Sequence, residues 1–219
     1  MNNSYTSKYL LLLFILLSVG MLAYHYALFS FLLLVIIAIS LAILLITGFI
    51  KIFRKKLSTN WLRIPLMVII ICMLGMIVGL FHPFAPAIVH SNDVSETLAY
   101  AYNTDQADRK TFKSYIGLFR NELVLRDSIR LDQVQKLYYQ QQITKPLDKF
   151  HAAFIFHHSK KSPLYAIAHK LASEAASVNE LQNFYLAQWL AKATYDRWQV
   201  SLGKPEKYGT QGKFSVSVE

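Results

Sequence analysis

Between Tyr9 and Ile50 the sequence contains no Asp, Glu, Lys or Arg. A helix in a water-soluble core keeps one polar face, so unbroken apolarity of this length predicts lipid rather than a protein core. A hydrocarbon layer of about 30 Å takes roughly 20 residues of helix to cross, which makes the run right for two crossings joined by a tight turn. The turn is expected at Tyr24-His25-Tyr26, since Tyr favours headgroup depth and His25 is the only histidine in the run. A third crossing is expected from about Ile64 to Phe84, ending where Pro83 and Pro86 interrupt helical hydrogen bonding. The three spans are thus placed at about 9–25, 28–50 and 64–84, in a membrane domain covering residues 1–90.

From residue 91 to 219 the pattern changes to that of a water-soluble, all-helical domain. Helices are expected over about 94–102, 105–118, 125–142 and 147–158. Ser162-Pro163 reads as a cap and first helical position, followed by a stripe of Leu164, Ile167, Ala168, Leu171 and Ala175. Asn179 is the expected cap of the last helix, whose face runs through Leu181, Phe184, Gln188, Ala191, Tyr195, Trp198 and Leu202 before Gly203 and Pro205 close it. The only extended alternation is the short tail at 213–216, so no sheet is expected. The fold class is therefore all-α: three transmembrane helices, then a bundle or stack of antiparallel helices.

Charge adds a direction. All 13 acidic residues lie at or beyond Asp93, and the basic excess divides into +6 before residue 91 and +4 after it. Lys51, Arg54, Lys55, Lys56 and Arg63 crowd the second loop, which the positive-inside rule makes cytoplasmic. That places the amino terminus in the cytoplasm and the C-terminal domain in the periplasm or outside the cell, with the spans in a bacterial plasma membrane. A cytoplasmic domain would need the reverse topology. A cleaved signal peptide beginning at Lys8 is disfavoured, because no clear small-x-small cleavage site follows it before the next apolar segment at Leu28. The soluble part has no basic stripe, so nucleic acid is not an expected partner.

Gly75 and Gly79 form a Gly-x-x-x-Gly pair, expected to pack against the other two spans rather than to make a dimer. No span carries a charge at mid-depth, which favours anchoring over transport. The single cysteine, Cys72, excludes an intrachain disulfide.

Four polar stretches suggest a site: Asp105-Gln106-Ala107-Asp108-Arg109, Ala152-Ala153-Phe154-Ile155-Phe156-His157-His158, Asp196-Arg197, and Gly203-Lys204-Pro205-Glu206-Lys207-Tyr208-Gly209-Thr210-Gln211. Over about residues 105–211 they resemble an uncharacterised bacterial helical domain family, a domain of unknown function. Its pattern has Asp-Gln-x-x-Arg, then Ala-Ala with Phe-Gln-His, then Asp-Arg, and ends Gly-x-Pro-Gln-x-Tyr-Gly-Thr-Gln. His157 and Glu206 depart from it, each standing where the pattern has Gln. The resemblance implies a fold and a set of polar positions, and names no reaction.

The catalytic candidates are His158, Asp196 and Asp105, and the ligand-binding candidates are Gln106, Arg109, His157, Arg197, Thr210 and Gln211. Carboxylates and arginines around a histidine suit a polar ligand or a general base. Each residue also has a structural reading, as a helix-to-helix pair or as the fastening of a C-terminal strap. No metal and no cofactor are expected: His157 and His158 point about 100° apart on a helix, and no glycine-rich phosphate loop or nucleophile elbow occurs. The leading expectation is a membrane-anchored extracytoplasmic binding or interaction domain. Its partners are the lipid bilayer and an envelope protein, a peptide or a small polar ligand. The alternative is a membrane-bound enzyme using the His/Asp/Arg residues.

Overall fold

The computed structural model describes residues 3–54 and 58–212, with side chains from residue 6 onward. It is all-helical over these residues, with eight α-helices and no strand. Lys55 and Lys56 of the basic loop, and the 213–216 tail, lie outside the described residues. The chain divides into two compact units: Met1–Pro83 with Lys110–Gly117, and Phe84–Arg109 with Leu118–Glu219.

The first unit holds α1 (Asn3–His25), α2 (Phe29–Phe53) and α3 (Asn60–Gly79). All three are long and apolar enough to cross a membrane. Their small shared core is Ala23, Leu33 and Cys72, flanked by Val19, Ile36, Val68 and Met76. Large apolar side chains such as Leu10, Phe14, Ile39, Leu45 and Ile70 remain exposed, a surface that water would penalise and lipid would not. Gly75 and Gly79 face the other two spans. A Cβ on Gly75 would lie 2.5 Å from Val19 Cγ1 and 2.9 Å from Leu33 Cδ1, and one on Gly79 would meet the Ser30 hydroxyl. The glycine pair therefore serves packing within the chain. The third span starts and ends about four residues earlier than its apolar run predicts. Ser58 and Thr59 carbonyls accept the Trp61, Leu62 and Arg63 amides and start the helix early. Tight turns at Phe81 and His82 then stop it before Pro83.

The second unit holds α4 (Val94–Arg109), α5 (Arg120–Tyr139), α6 (Pro146–His157), α7 (Ser162–Ala176) and α8 (Tyr185–Ser201). Helix α6 is central, because Phe150, Ala152, Ala153, Phe154, Ile155 and Phe156 bury it on nearly every side. It packs against α4, α5, α7 and α8.

Four boundaries differ from the sequence expectation, one of them α5, which runs over Arg120–Tyr139 and so starts five residues before the expected 125–142. The two helices expected over 94–118 are one helix to Arg109, followed by 3-10 turns at Phe112–Tyr115 and Gly117–Phe119. The expected break does not form, because the Thr104 hydroxyl bonds back to the Tyr100 and Ala101 carbonyls and rides within the helix. Helix α7 begins at Ser162 itself, whose hydroxyl accepts a bond from Ser201 instead of capping. Helix α8 starts at Tyr185 rather than after Asn179, since Leu181, Gln182 and Phe184 amides close three successive tight turns. Gln188 then ties the Ala176 and Leu181 carbonyls. The α8 terminus is as expected: Gly203 at φ +72° lets its own amide reach Val200 and the Lys204 amide reach Gln199, satisfying the last carbonyls.

Candidate functional site

Helices α4 and α5 present matching charges. Asp105, Asp108 and Arg109 lie three and four residues apart on one face of α4, as do Arg126, Asp127 and Arg130 on α5. Arg126 grips Asp108 with two bonds of 2.7 and 3.1 Å, and Arg109 grips Asp127 at 3.0 and 3.3 Å. Fully buried Arg130 joins the layer together, bonding Asp108, Asp127 at 3.1 Å and Thr104 at 3.2 Å. Three carboxylates and three guanidiniums thus neutralise one another in a largely buried layer. Asp108, Arg126, Asp127 and Arg130 were not among the sequence candidates. The reciprocal spacing, Asp-x-x-Asp-Arg against Arg-Asp-x-x-Arg, is the signal that finds them.

His158 stands just past the end of α6, its Nδ1 3.1 Å from the Asp105 carboxylate. Burial raises the pKa of Asp105, but His158, Arg109 and Arg130 outweigh it and hold the carboxyl below its usual range. An ionised carboxylate can only accept, so the His158 Nδ1–H is the donor of this contact and the ring is oriented through that nitrogen. Gln106 donates to the same carboxylate at 2.8 Å, and Arg109 pairs with it at 2.8 Å. Beside this group lies a cavity of about 130 Å³, lined by Asp105, Asp127, Leu131, His158, Ser159 and Lys160 among others. The hydroxyl of Ser159 is itself buried and has no hydrogen-bond partner. A larger hollow of about 650 Å³, with His90, Asp132, Gln133 and Lys136 on its walls, contains none of the sequence candidates.

The other candidates form a separate cluster around the C-terminal strap. Asp196, fully buried on α8, accepts the Lys207, Tyr208 and Thr210 amides at 2.9–3.1 Å and the Thr210 hydroxyl at 2.8 Å. Burial raises its pKa, and these bonds more than reverse the effect. Arg197 donates to Gln211 Oε1 and to the His157 carbonyl, and Gln211 donates to the Ala193 carbonyl. Glu206 accepts the Gln211 amide at 2.7 Å, a role open equally to the glutamine of the family pattern. His157 is buried, with Nδ1 unpartnered, and burial first, then Arg197, His158 and Arg109, push its pKa well down. The structure therefore joins Asp105, Gln106, Arg109 and His158, and assigns Asp196, Arg197, Thr210 and Gln211 to holding the strap. The adjacent rings of His157 and His158, 5.5 Å apart, lie between the two clusters.

Among the described residues, no three His, Cys, Asp or Glu side chains gather where a metal ion could be held. His151 stacks on Tyr102 instead, with ring centroids 4.8 Å apart. Compared with family models, curated proteins and solved structures, the chain matches none.

Proposed function

We propose that this is a membrane-anchored binding domain whose C-terminal unit takes a small polar ligand beside His158. One observation carries the reading: Ser159, whose buried hydroxyl has no hydrogen-bond partner, lines the same cavity as Asp105 and His158. Buried hydroxyls ordinarily find partners, so this one invites a ligand group. At about 130 Å³ the cavity is well below the roughly 300–1,000 Å³ typical of drug-sized ligands, and it suits a molecule of metabolite size. Glycine, acetate, inorganic phosphate and ethanolamine cover the relevant charge types as probes. In a thermal-shift series on full-length protein in nanodiscs, at least one should stabilise the wild type and not Ser159→Val. No shift with any of the four at millimolar concentration would defeat the small-ligand reading.

A second reading, an enzyme using His158 as general base, draws support from the Asp105 contact, which orients the ring as a base requires. A His158→Ala variant that kept its stability and every measurable function would remove it. The basic second loop supports a cytoplasmic amino terminus and an extracytoplasmic C-terminal domain in a bacterial plasma membrane. Protease should then cleave the C-terminal unit in intact spheroplasts, and full protection would reverse the orientation. Within the resemblance to the helical domain family, Asp196-Arg197 and Tyr208–Gln211 record the strap, and Asp105 with Arg109 records the α4 ion pair.

A further inference from the structure

Lys110–Gly117 lies between α4 and α5 in sequence, yet belongs to the membrane unit. Phe112 and Tyr115 both meet Phe31 edge-on, with ring centroids 5.7 Å away in each case. Phe31 is two residues inside the start of α2. Lys113, largely buried, donates to the His82 carbonyl at 2.5 Å, just beyond the end of α3. The His82 ring in turn lies 2.6 Å from the Tyr24 carbonyl, in the last turn of α1. The segment is thus fastened at one end of all three spans, where α1 and α3 finish and α2 begins.

The end of a helix of about 20 apolar residues lies at the boundary of hydrocarbon and headgroup. Tyr115 is 72% exposed there despite its contact with Phe31, and Phe81 and Tyr26 are exposed at 74% and 63% on the same end. Aromatic rings with a polar tip partition to this depth. We propose that Lys110–Gly117 is an interfacial hairpin whose Tyr115 and Phe112 sit in the lipid headgroup layer, with the bilayer surface as their partner. In sequence the segment follows Arg109 directly and precedes α5.

The test uses the full chain in phosphatidylcholine/phosphatidylglycerol nanodiscs, in a Cys72→Ala background. Nitroxide labels are placed at Tyr115→Cys and, as a second reporter, at Gly117→Cys, where an added Cβ would meet nothing within 4 Å. Power-saturation resonance then compares collision with oxygen, which prefers lipid, against a water-soluble nickel chelate. The oxygen-to-nickel ratio at both positions should match that of Tyr26→Cys and exceed several-fold that of Glu180→Cys, an exposed position of the second unit. Ratios at 115 and 117 equal to that at 180 would overturn the proposal.

Discussion

Replacing Arg130 with Met tests whether the ionic layer holds α4 to α5. Methionine fills much of the same space, so the change isolates charge from volume. Arg130 is fully buried, and on its loss Asp108, 4% exposed on its side chain, keeps its pair with Arg126, while Asp127 keeps Arg109. Breaking a buried ion pair by removing one partner costs about 3–5 kcal/mol, because the other charge is left in a poor solvent. Both carboxylates retain one guanidinium and Asp127 is 29% exposed to water, which places the expected loss near the lower bound, about 3 kcal/mol. Arg130→Met with Asp108→Asn removes one charge of each sign and should recover about 1–2 kcal/mol of that loss, a coupling within the usual range for contacting residues. Urea unfolding of the full chain in nanodiscs at pH 7, followed by Trp189 and Trp198 fluorescence, reads both effects. A loss under about 1 kcal/mol for the single variant, or strict additivity in the double, would refute the claim that the layer is coupled and buried.

Acidification should weaken the second unit through His157. Its folded pKa is held well below the ordinary 6.5, so below that pH the unfolded chain takes up a proton that the folded chain refuses. Its stability contribution is complete above about 6.5 and lost on acidification at up to about 1.4 kcal/mol per pH unit. His151 and His169 are shifted the same way, so His157→Gln should flatten the urea midpoint between pH 6.5 and 5 without abolishing its slope; an unchanged slope would contradict the assignment. Gly75→Val should cost about 1–3 kcal/mol by overpacking against Val19 and Leu33, while Gly48→Val, with nothing within 4 Å of its Cβ, stays neutral in the same detergent melt. Asp196→Asn puts an NH2 donor among amides that need an acceptor and should cost about 1–3 kcal/mol. Hydrogen exchange at Lys207, Tyr208 and Thr210 should accelerate together, and unchanged protection there would mean that Asp196 is not what holds the strap.

Much of the architecture was legible because lipid imposes a simple demand. A segment that must satisfy its own backbone and present apolar side chains outward leaves a charge-free run, and 9–50 reads as two spans for that reason. Helix α7 was equally legible from the stripe Leu164, Ile167, Ala168, Leu171, Ala175, since one face packs on a core. The error at 105–118 has the same origin. Phe112, Tyr115 and Leu118 recur at three-residue steps and mimic a helical stripe, yet Phe112 and Tyr115 pack on Phe31 of a distant span, a partner that local periodicity does not contain. Charged residues on amphipathic helices are ordinarily exposed, which hid the complementary faces of α4 and α5 until they were paired. Ser159 carries no sequence signal at all, because its meaning lies in a missing bond.

That missing bond separates fastening from function. Asp196 uses its oxygens on the strap, and Arg197 spends its fork on Gln211 and the His157 carbonyl. A group whose bonding capacity is taken up by its own chain can act on a ligand only by giving up those bonds, at a cost comparable to the gain. The polar residues at 196–197, 210 and 211 are engaged in fastening the strap. Ser159 and His158 differ in kind: the Ser159 hydroxyl has no partner, His158 is fixed through Nδ1, and both residues line one cavity. A ligand that reached these groups would gain bonds without breaking those of the strap, so the proposed site lies at these two adjacent residues.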